Sequence, residues 1–215
     1  MRIYIISIPR NKNRLDSLTA RLEHLNLDFE VVMGVDGKDM LDDEFQTYNQ
    51  DLYVEMYGKK MNRYEISCTL GHMRVWNKML LDQVERALVL EDDVCILSTA
   101  PKALEFIASE NINYDILYLH HGKAKKWPIY RSLPDNYRLY RYRRPTKNSR
   151  RAITYATAYL LNQRAASSLL GEASINMMPA DFIVGLLQRH RLLVRGVEPC
   201  CVDHGHFETS TPGRF

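Results

Sequence analysis

Apolar residues recur along this chain in two rhythms, and the switches between them mark out the elements. "YIISI" (4–8) is a short apolar run that reads as a strand. Leu15, Leu18, Leu22 and Leu25 then fall at helical spacing, which predicts an amphipathic helix over 11–26. Residues 29–35 form a second apolar run, closed by the Asp36-Gly37 turn signal, so the chain opens as β-α-β. Residues 38–62 are polar, acidic and Tyr-rich, and predict short helices and loops. Cys68, His72, Val75, Trp76, Met79 and Leu80 give one apolar face to a helix over 65–82, and a strand follows at 87–91. "STAPKALEFIASE" supplies an N-cap, an early Pro and helical spacing. Strands are expected at 114–121, 153–161 and 192–197, and helices at 163–171 and from Asp181 to about 190. The tail beyond has no periodicity. Strands alternate with helices almost throughout, which predicts an α/β fold with a mainly parallel central sheet and helices on both faces.

A chain of 215 residues, 46% apolar, suits a single domain spanning 1–215. Its four cysteines show no CxxC spacing and read as reduced thiols, not as a disulfide frame or zinc site. The first apolar run is broken by Ser7 and stopped by Pro9, unlike a secretory h-region. No stretch approaches the ~20 apolar residues of a membrane helix. A cytoplasmic protein is expected, peripheral at most on the inner face of the membrane.

Charge changes this picture in one place. Residues 123–151 hold eleven Lys or Arg and one acid, Asp135, a local charge of +10, so the rest of the chain sums to −7. This Tyr- and Arg-rich block reads as a flap or insertion within the domain. It could be merely solvated, could bind nucleic acid through phosphates and stacking, or could hold anionic acceptor sugars or lipid head groups. The −7 remainder would repel a polyanion, so no nucleic-acid partner is expected. Arg141, Arg143 and Arg144 are the candidates for an acceptor or anionic surface.

The sharpest chemical signal is "ALVLEDDVCIL" (87–97), three acids between apolar runs. Carboxylates are rarely buried without partners. In an open α/β sheet, however, ligands bind beyond the carboxyl ends of strands, and Glu91, Asp92 and Asp93 would emerge there. Strand alternation would set Glu91 and Asp93 on one side and Asp92 on the other. Two carboxylates on one side call for a cation, and Mn²⁺ or Mg²⁺ with a substrate diphosphate suits oxygen ligands. A solvated acidic turn is the bland alternative.

"YEISCTLGHMRVWNKMLLDQVERALVLEDDVCIL" resembles the central signature of glycosyltransferase family 25, the lipopolysaccharide and lipooligosaccharide galactosyltransferases. Glu65, Cys68, Gly71-His72, Trp76 and Glu91 to Asp93 carry the likeness, with Gly71 where the family more often has Ser. "IYIISIPRNKNRLDSL", "VVMGVDG", "TYATAYLLNQRAASSLL" and the Pro-Ala-Asp at 179–181 extend it from residue 3 to about 190. The resemblance implies a GT-A-like fold, UDP-galactose as donor, and a β-linkage made with inversion, β-1,4 to glucose or N-acetylglucosamine of a lipooligosaccharide acceptor. It implies metal ligation by Asp93 and Glu91, with His204 closing the shell. Ser7, Arg14, Glu65, Glu91 and Asp92 would meet the nucleotide sugar, although Arg14 could equally be a solvated helix residue and Glu65 a simple first-turn acid. Asp181 would be the base that deprotonates the acceptor hydroxyl, although a helix N-cap alone would also explain an Asp there. His72, on an apolar helix face, is expected to support the site from behind. The remaining rivals are another metal-dependent α/β enzyme handling phosphates, a nucleotidyltransferase or phosphatase, and a non-enzymatic nucleic-acid-binding protein.

Overall fold

The computed structural model describes residues 1–110, 112–122, 125–144, 155–190, 192–205 and 207. In chain order the elements are β1 (Arg2–Ser7), a 3₁₀ turn (Pro9–Asn11), α1 (Lys12–His24), β2 (Glu30–Met33), α2 (Asp42–Thr47), α3 (Asp51–Tyr57), α4 (Arg63–Leu81), β3 (Arg86–Glu91), β4 (Val94–Ile96) and α5 (Ala100–Ser109). There follow β5 (Ile116–Tyr118), β6 (Lys126–Ser132), a 3₁₀ turn (Pro134–Asn136), β7 (Arg138–Tyr142), β8 (Ala158–Asn162), α6 (Gln163–Ile175), α7 (Ala180–His190), β9 (Val194–Glu198) and β10 (Val202–His204).

Eight strands form one sheet in the order β2-β1-β3-β8-β5-β9-β7-β6. β1 pairs in parallel with both β2 and β3, and β5 with β9, while β8 runs antiparallel between β3 and β5. β7 opposes β9 and β6 opposes β7. Six of the eight strands therefore point one way, and only β8 and β7 are reversed. The α/β sheet expected from the sequence is present.

Alternation along each central strand splits the core in two. Tyr4, Val89, Tyr118 and Tyr159 pack on the face covered by α4, α6 and α7. Ile5, Leu88, Leu117 and Leu160 pack on the face that α1 and α5 cover through Leu18, Leu22, Leu104 and Ile107. Central strands buried on both faces explain why 87–90 reads as an unbroken apolar run. Helix α4 starts on a capping box: the Asn62 side chain accepts the Glu65 N–H and the Glu65 carboxylate accepts the Asn62 N–H. Gly37 lets the preceding loop lie against that start, since a Cβ there would stand 2.8 Å from the Arg63 carbonyl oxygen.

Two regions differ from expectation. The tail contributes β10, which pairs antiparallel with β4 just past the acidic triplet. Three-residue strands leave too few positions for alternation to be visible in sequence. Within the basic block, residues 126–142 form the β6–β7 hairpin, which extends the main sheet. Among the described residues no helix is long and apolar enough to cross a membrane.

Candidate functional site

Parallel pairing brings the carboxyl ends of β1 and β3 side by side, so Ser7 and the acidic triplet meet at one sheet edge. β3 ends at Glu91, and Asp92 and Asp93 make the turn into β4. Strand alternation consequently stops at Glu91. Asp92 does not simply face away from Asp93: the Arg14 guanidinium lies 3.6 Å from Asp92 Oδ1 and 3.7 Å from Asp93 Oδ2. Asp92 is held hard against β1, accepting from Ser7 Oγ at 2.6 Å and from Asn11 Nδ2 at 3.1 Å. Burial still raises its pKa, against the lowering by those two hydrogen bonds and by Arg14.

Glu91 turns the other way. Its Oε1 lies 3.0 Å from His72 Nε2 and 3.7 Å from Cys68 Sγ. Behind His72, Nδ1 lies 2.9 Å from the Tyr159 hydroxyl, which also accepts from Trp76 Nε1 at 2.9 Å. With His72 neutral and Glu91 ionised, these contacts run in one direction. Trp76 can only donate, so Tyr159 accepts from it and donates to His72 Nδ1, and His72 Nε2–H then donates to Glu91. Burial raises the Tyr159 pKa, keeping the hydroxyl protonated for this role. Cys68, His72 and Glu91 do have ligand atoms within 4.8 Å of one another, as a metal site would. The His72–Glu91 hydrogen bond accounts for that grouping.

The chain should be sensitive to loss of this buried relay. Tyr159→Phe strands Trp76 Nε1 and His72 Nδ1, both on fully buried side chains. Each unsatisfied group costs about 1–3 kcal/mol, so denaturant unfolding should show a loss of at least about 1 kcal/mol. A change within error of zero would mean that water or another group replaces the hydroxyl.

Asp93 is the least buried of the three acids, its side chain 27% exposed. Burial, reinforced by the charges of Glu91 and Asp92, pushes its carboxyl up to about 7 despite Arg14. Its Oδ1 is buried and has no hydrogen-bond partner among the described residues. A buried carboxylate oxygen without a donor, beside two more acids, fits a hard divalent cation. The tail adds a further oxygen-side constraint, since Gly205 N–H donates to the Asp93 carbonyl at 2.6 Å.

The other expected residues are placed as follows. Ser7, Arg14, Glu91, Asp92 and Asp93 line one open hollow together with Arg10, Tyr64 and Cys68. Glu65 stands outside it, its carboxylate committed to the α4 capping box. His204 is carried by β10 to a position opposite Val94, next to the acidic turn, with its ring 4.4 Å from that of His120. Glu91, Asp93 and His204 are not gathered with all ligand atoms within 4.8 Å; in the described residues that closeness belongs to Cys68, His72 and Glu91. Asp181 is the second residue of α7, not the residue before it, and its charge raises the pKa of both Tyr118 and Tyr159 after burial has done so. It therefore lies within electrostatic reach of the same tyrosine that serves the Glu91 relay.

Arg141, Arg143 and Arg144 are not at this site. Three strands lie between β3 and β7, four inter-strand steps or about 19 Å. Arg141 pairs with Arg195, towards the amino end of β9, whereas the acids lie at carboxyl ends. Residues 123–124 and 145–151 of the basic block lie outside the described residues.

Asn11, Arg10 and Tyr64 were not singled out from the sequence. Asn11 had a signal, in that the polar stretch after an apolar strand in an α/β chain lies at the ligand end of the sheet. Arg10 had the same one. Tyr64, at the start of a helix distant in sequence, had none.

Compared with known proteins, residues 1–184 match the pattern of Glycosyltransferase family 25 (LPS biosynthesis protein). Procollagen galactosyltransferase 2 of Mus musculus is 27% identical over 125 residues, 54% of this chain and 20% of that protein. Inactive glycosyltransferase 25 family member 3 of Homo sapiens is also 27% identical over 125 residues, 54% of this chain and 21% of that protein. The chain spans about a fifth of the length of these curated relatives. Among solved structures, mouse xyloside xylosyltransferase 1 in its apo form superposes with a TM-score of 0.43 at 13% identity, covering 90% of this chain and 83% of that one. The family pattern spans well over half of the sequence and includes β1, α4 and the acidic turn, and the chain belongs to glycosyltransferase family 25.

Proposed function

We propose that the protein is a metal-dependent glycosyltransferase that moves galactose from UDP-galactose to a saccharide of a lipooligosaccharide, with inversion. The observation that carries the reading is the orphaned Asp93 Oδ1 at the carboxyl end of β3, in the hollow shared with Arg14. Family membership supports transfer chemistry, but an inactive relative matches as well as a galactosyltransferase does, so the site must bear the weight. Asp93 would hold the cation with Glu91, and His204 stands near enough in the fold to be recruited. When bound, Mn²⁺ or Mg²⁺ supplies charge neutralisation for the leaving diphosphate.

The chain's own groups have separable roles. Ser7 and Asn11 pin Asp92, and Asp92 with Asp93 holds the Arg14 guanidinium over the hollow, where it suits a diphosphate. His72 keeps one Glu91 oxygen occupied and so fixes the direction of the other. Tyr64 and Arg10, 5.6 Å apart, offer an aromatic and cationic wall to a nucleobase. Asp181 is the acceptor's base.

The test is donor hydrolysis. With Mn²⁺ and a panel of UDP-, GDP- and CMP-sugars, slow hydrolysis should select UDP-galactose and vanish on chelation. Equal hydrolysis of all donors, or none of any, would reject the reading, and preference for another UDP-sugar would correct the donor alone.

A further inference from the structure

The basic hairpin, far from the acids, has a constitution of its own. All seven residues of β6 are exposed, Ile129 at 80% and Trp127 at 47%. With Arg131 on the same strand, Leu139 and Arg141 on β7 and Arg195 on β9, these two residues line a hollow of about 460 Å³. Leu139 is its buried floor and the three arginines stand around it. Exposed apolar side chains grouped on an edge strand mark an interaction surface, because unprotected edges are otherwise blunted.

We propose that this face docks on an anionic lipid bilayer, with Trp127 and Ile129 entering the interface and Arg131, Arg141 and Arg195 meeting the head groups. Charge identifies the partner as anionic. Burial, then the neighbouring Arg141 and Arg131 charges, depresses the Arg195 pKa, so a guanidinium cluster is held at close quarters. Glu110 engages Arg131 at 2.7 Å, and the Asn113 carbonyl accepts from Arg195 Nε, which orients that side chain without neutralising it. Apolar character identifies the partner as a bilayer. Trp beside Arg is the composition of a membrane-interface anchor, apolar body inward and charge at head-group level.

Other occupants fit less well. A nucleic acid would use aromatic faces, but the Trp127 ring already carries Arg143 at 4.7 Å, and Ile129 would gain nothing. A second copy meeting edge to edge about a two-fold axis would set the arginine cluster against itself. A free phosphate would leave Trp127 and Ile129 in water.

The protein carries its own reporter. It has two tryptophans, and Trp76 is fully buried, so a change of environment at the surface is a change at Trp127. Mixed phosphatidylcholine–phosphatidylglycerol vesicles should shift the emission of the full chain to the blue and carry it down on sedimentation at ~0.1 M salt. Pure phosphatidylcholine should do neither, and ~1 M salt should release the protein. At about 1 kcal/mol per basic residue near an anionic surface, Arg141→Ser should weaken binding about 5-fold, and replacing all three arginines by Ser on the order of 100-fold. Because Arg131 and Arg195 also hold local structure, Ile129→Ser, at a side chain 80% exposed, is the second variant, and it should abolish the blue shift while donor hydrolysis in free solution stays at the parent rate. Equal binding to both vesicle types, or an Arg141→Ser variant that binds like the parent, would overturn the proposal. So would the same shift with inorganic phosphate or a short RNA, or a shift that grows with protein concentration without vesicles.

Discussion

Asp93→Asn is expected to abolish transfer by several orders of magnitude in saturating Mn²⁺ and, in the metal-free chain, to raise the melting temperature at pH 8. The two effects share one cause. The Asp93 carboxyl titrates at about 7 in the fold, for reasons of burial first and then the Glu91 and Asp92 charges, against about 3.9 in an unfolded chain. The folded state therefore binds the proton more tightly. The contribution of Asp93 to metal-free stability is fully present below about pH 4 and is lost as pH rises through about 7. Three units correspond to about 4 kcal/mol, an upper bound because the side chain is partly solvated and Arg14 can adjust. The isosteric amide cannot ionise, so it removes this cost above pH 7 and changes little at pH 4. It also removes the oxygen charge a divalent cation needs, and Mn²⁺ should raise the melting temperature of the parent at pH 8 but not that of the variant. Thermal scans at the two pH values, with and without Mn²⁺, read all of this. An Asn variant less stable than the parent at pH 8, or one as active, would show that Asp93 is stabilised by something other than a cation. Asp92→Asn should behave differently, since Asp92 accepts from Ser7 and Asn11 and binds a framework in place.

What could be read from the sequence divides along a physical line. Elements with long periodic faces were legible: α4 was expected over 65–82 and runs from Arg63 to Leu81 because nine of its residues are buried in a regular stripe. The position of the acids was legible too, because burial of 87–90 forces charge out at the strand end. Their mutual orientation was not. Alternation assumes that the strand continues, and here the chain turns at Asp92, a fact that depends on β10 arriving from the tail to pair with β4. Between a first-turn acid and a donor-orienting one the sequence could not choose for Glu65, because a capping box and a ligand-binding acid are written with the same residue; the reciprocal bonds with Asn62 show the capping box. The Tyr159 relay was invisible because its members are 83 and 87 residues apart in sequence and each reads as ordinary core. The arginine block was recognised as a surface, but a hairpin that lengthens the sheet carries it away from β3, and chain order gives no hint of that distance.

Asp181→Asn is the second large effect expected. Asp181 stands in the first turn of α7, within electrostatic reach of Tyr118 and Tyr159. The loop before it is fastened to α4, where the Thr69 hydroxyl donates to the Met178 carbonyl at 2.9 Å, one helix turn from Glu65 and close along the helix to His72. Asp181 and the Glu91 relay are thus both braced against α4. An inverting transfer needs a carboxylate that takes the acceptor proton as the sugar carbon is attacked, and such a base contributes 10²–10⁴. The amide should accordingly lower kcat by ~10²–10⁴ and leave donor affinity, measured by calorimetry, nearly unchanged. Stability should move little, since removing a first-turn charge costs only about 0.3–1 kcal/mol. If kcat fell by only a few-fold while the melting temperature dropped, Asp181 would be a helix-start charge and the base would have to be sought among the residues that line the hollow. If donor affinity fell in step with kcat, Asp181 would act on the donor side, and its charge near Tyr159 would tune Glu91 through the relay.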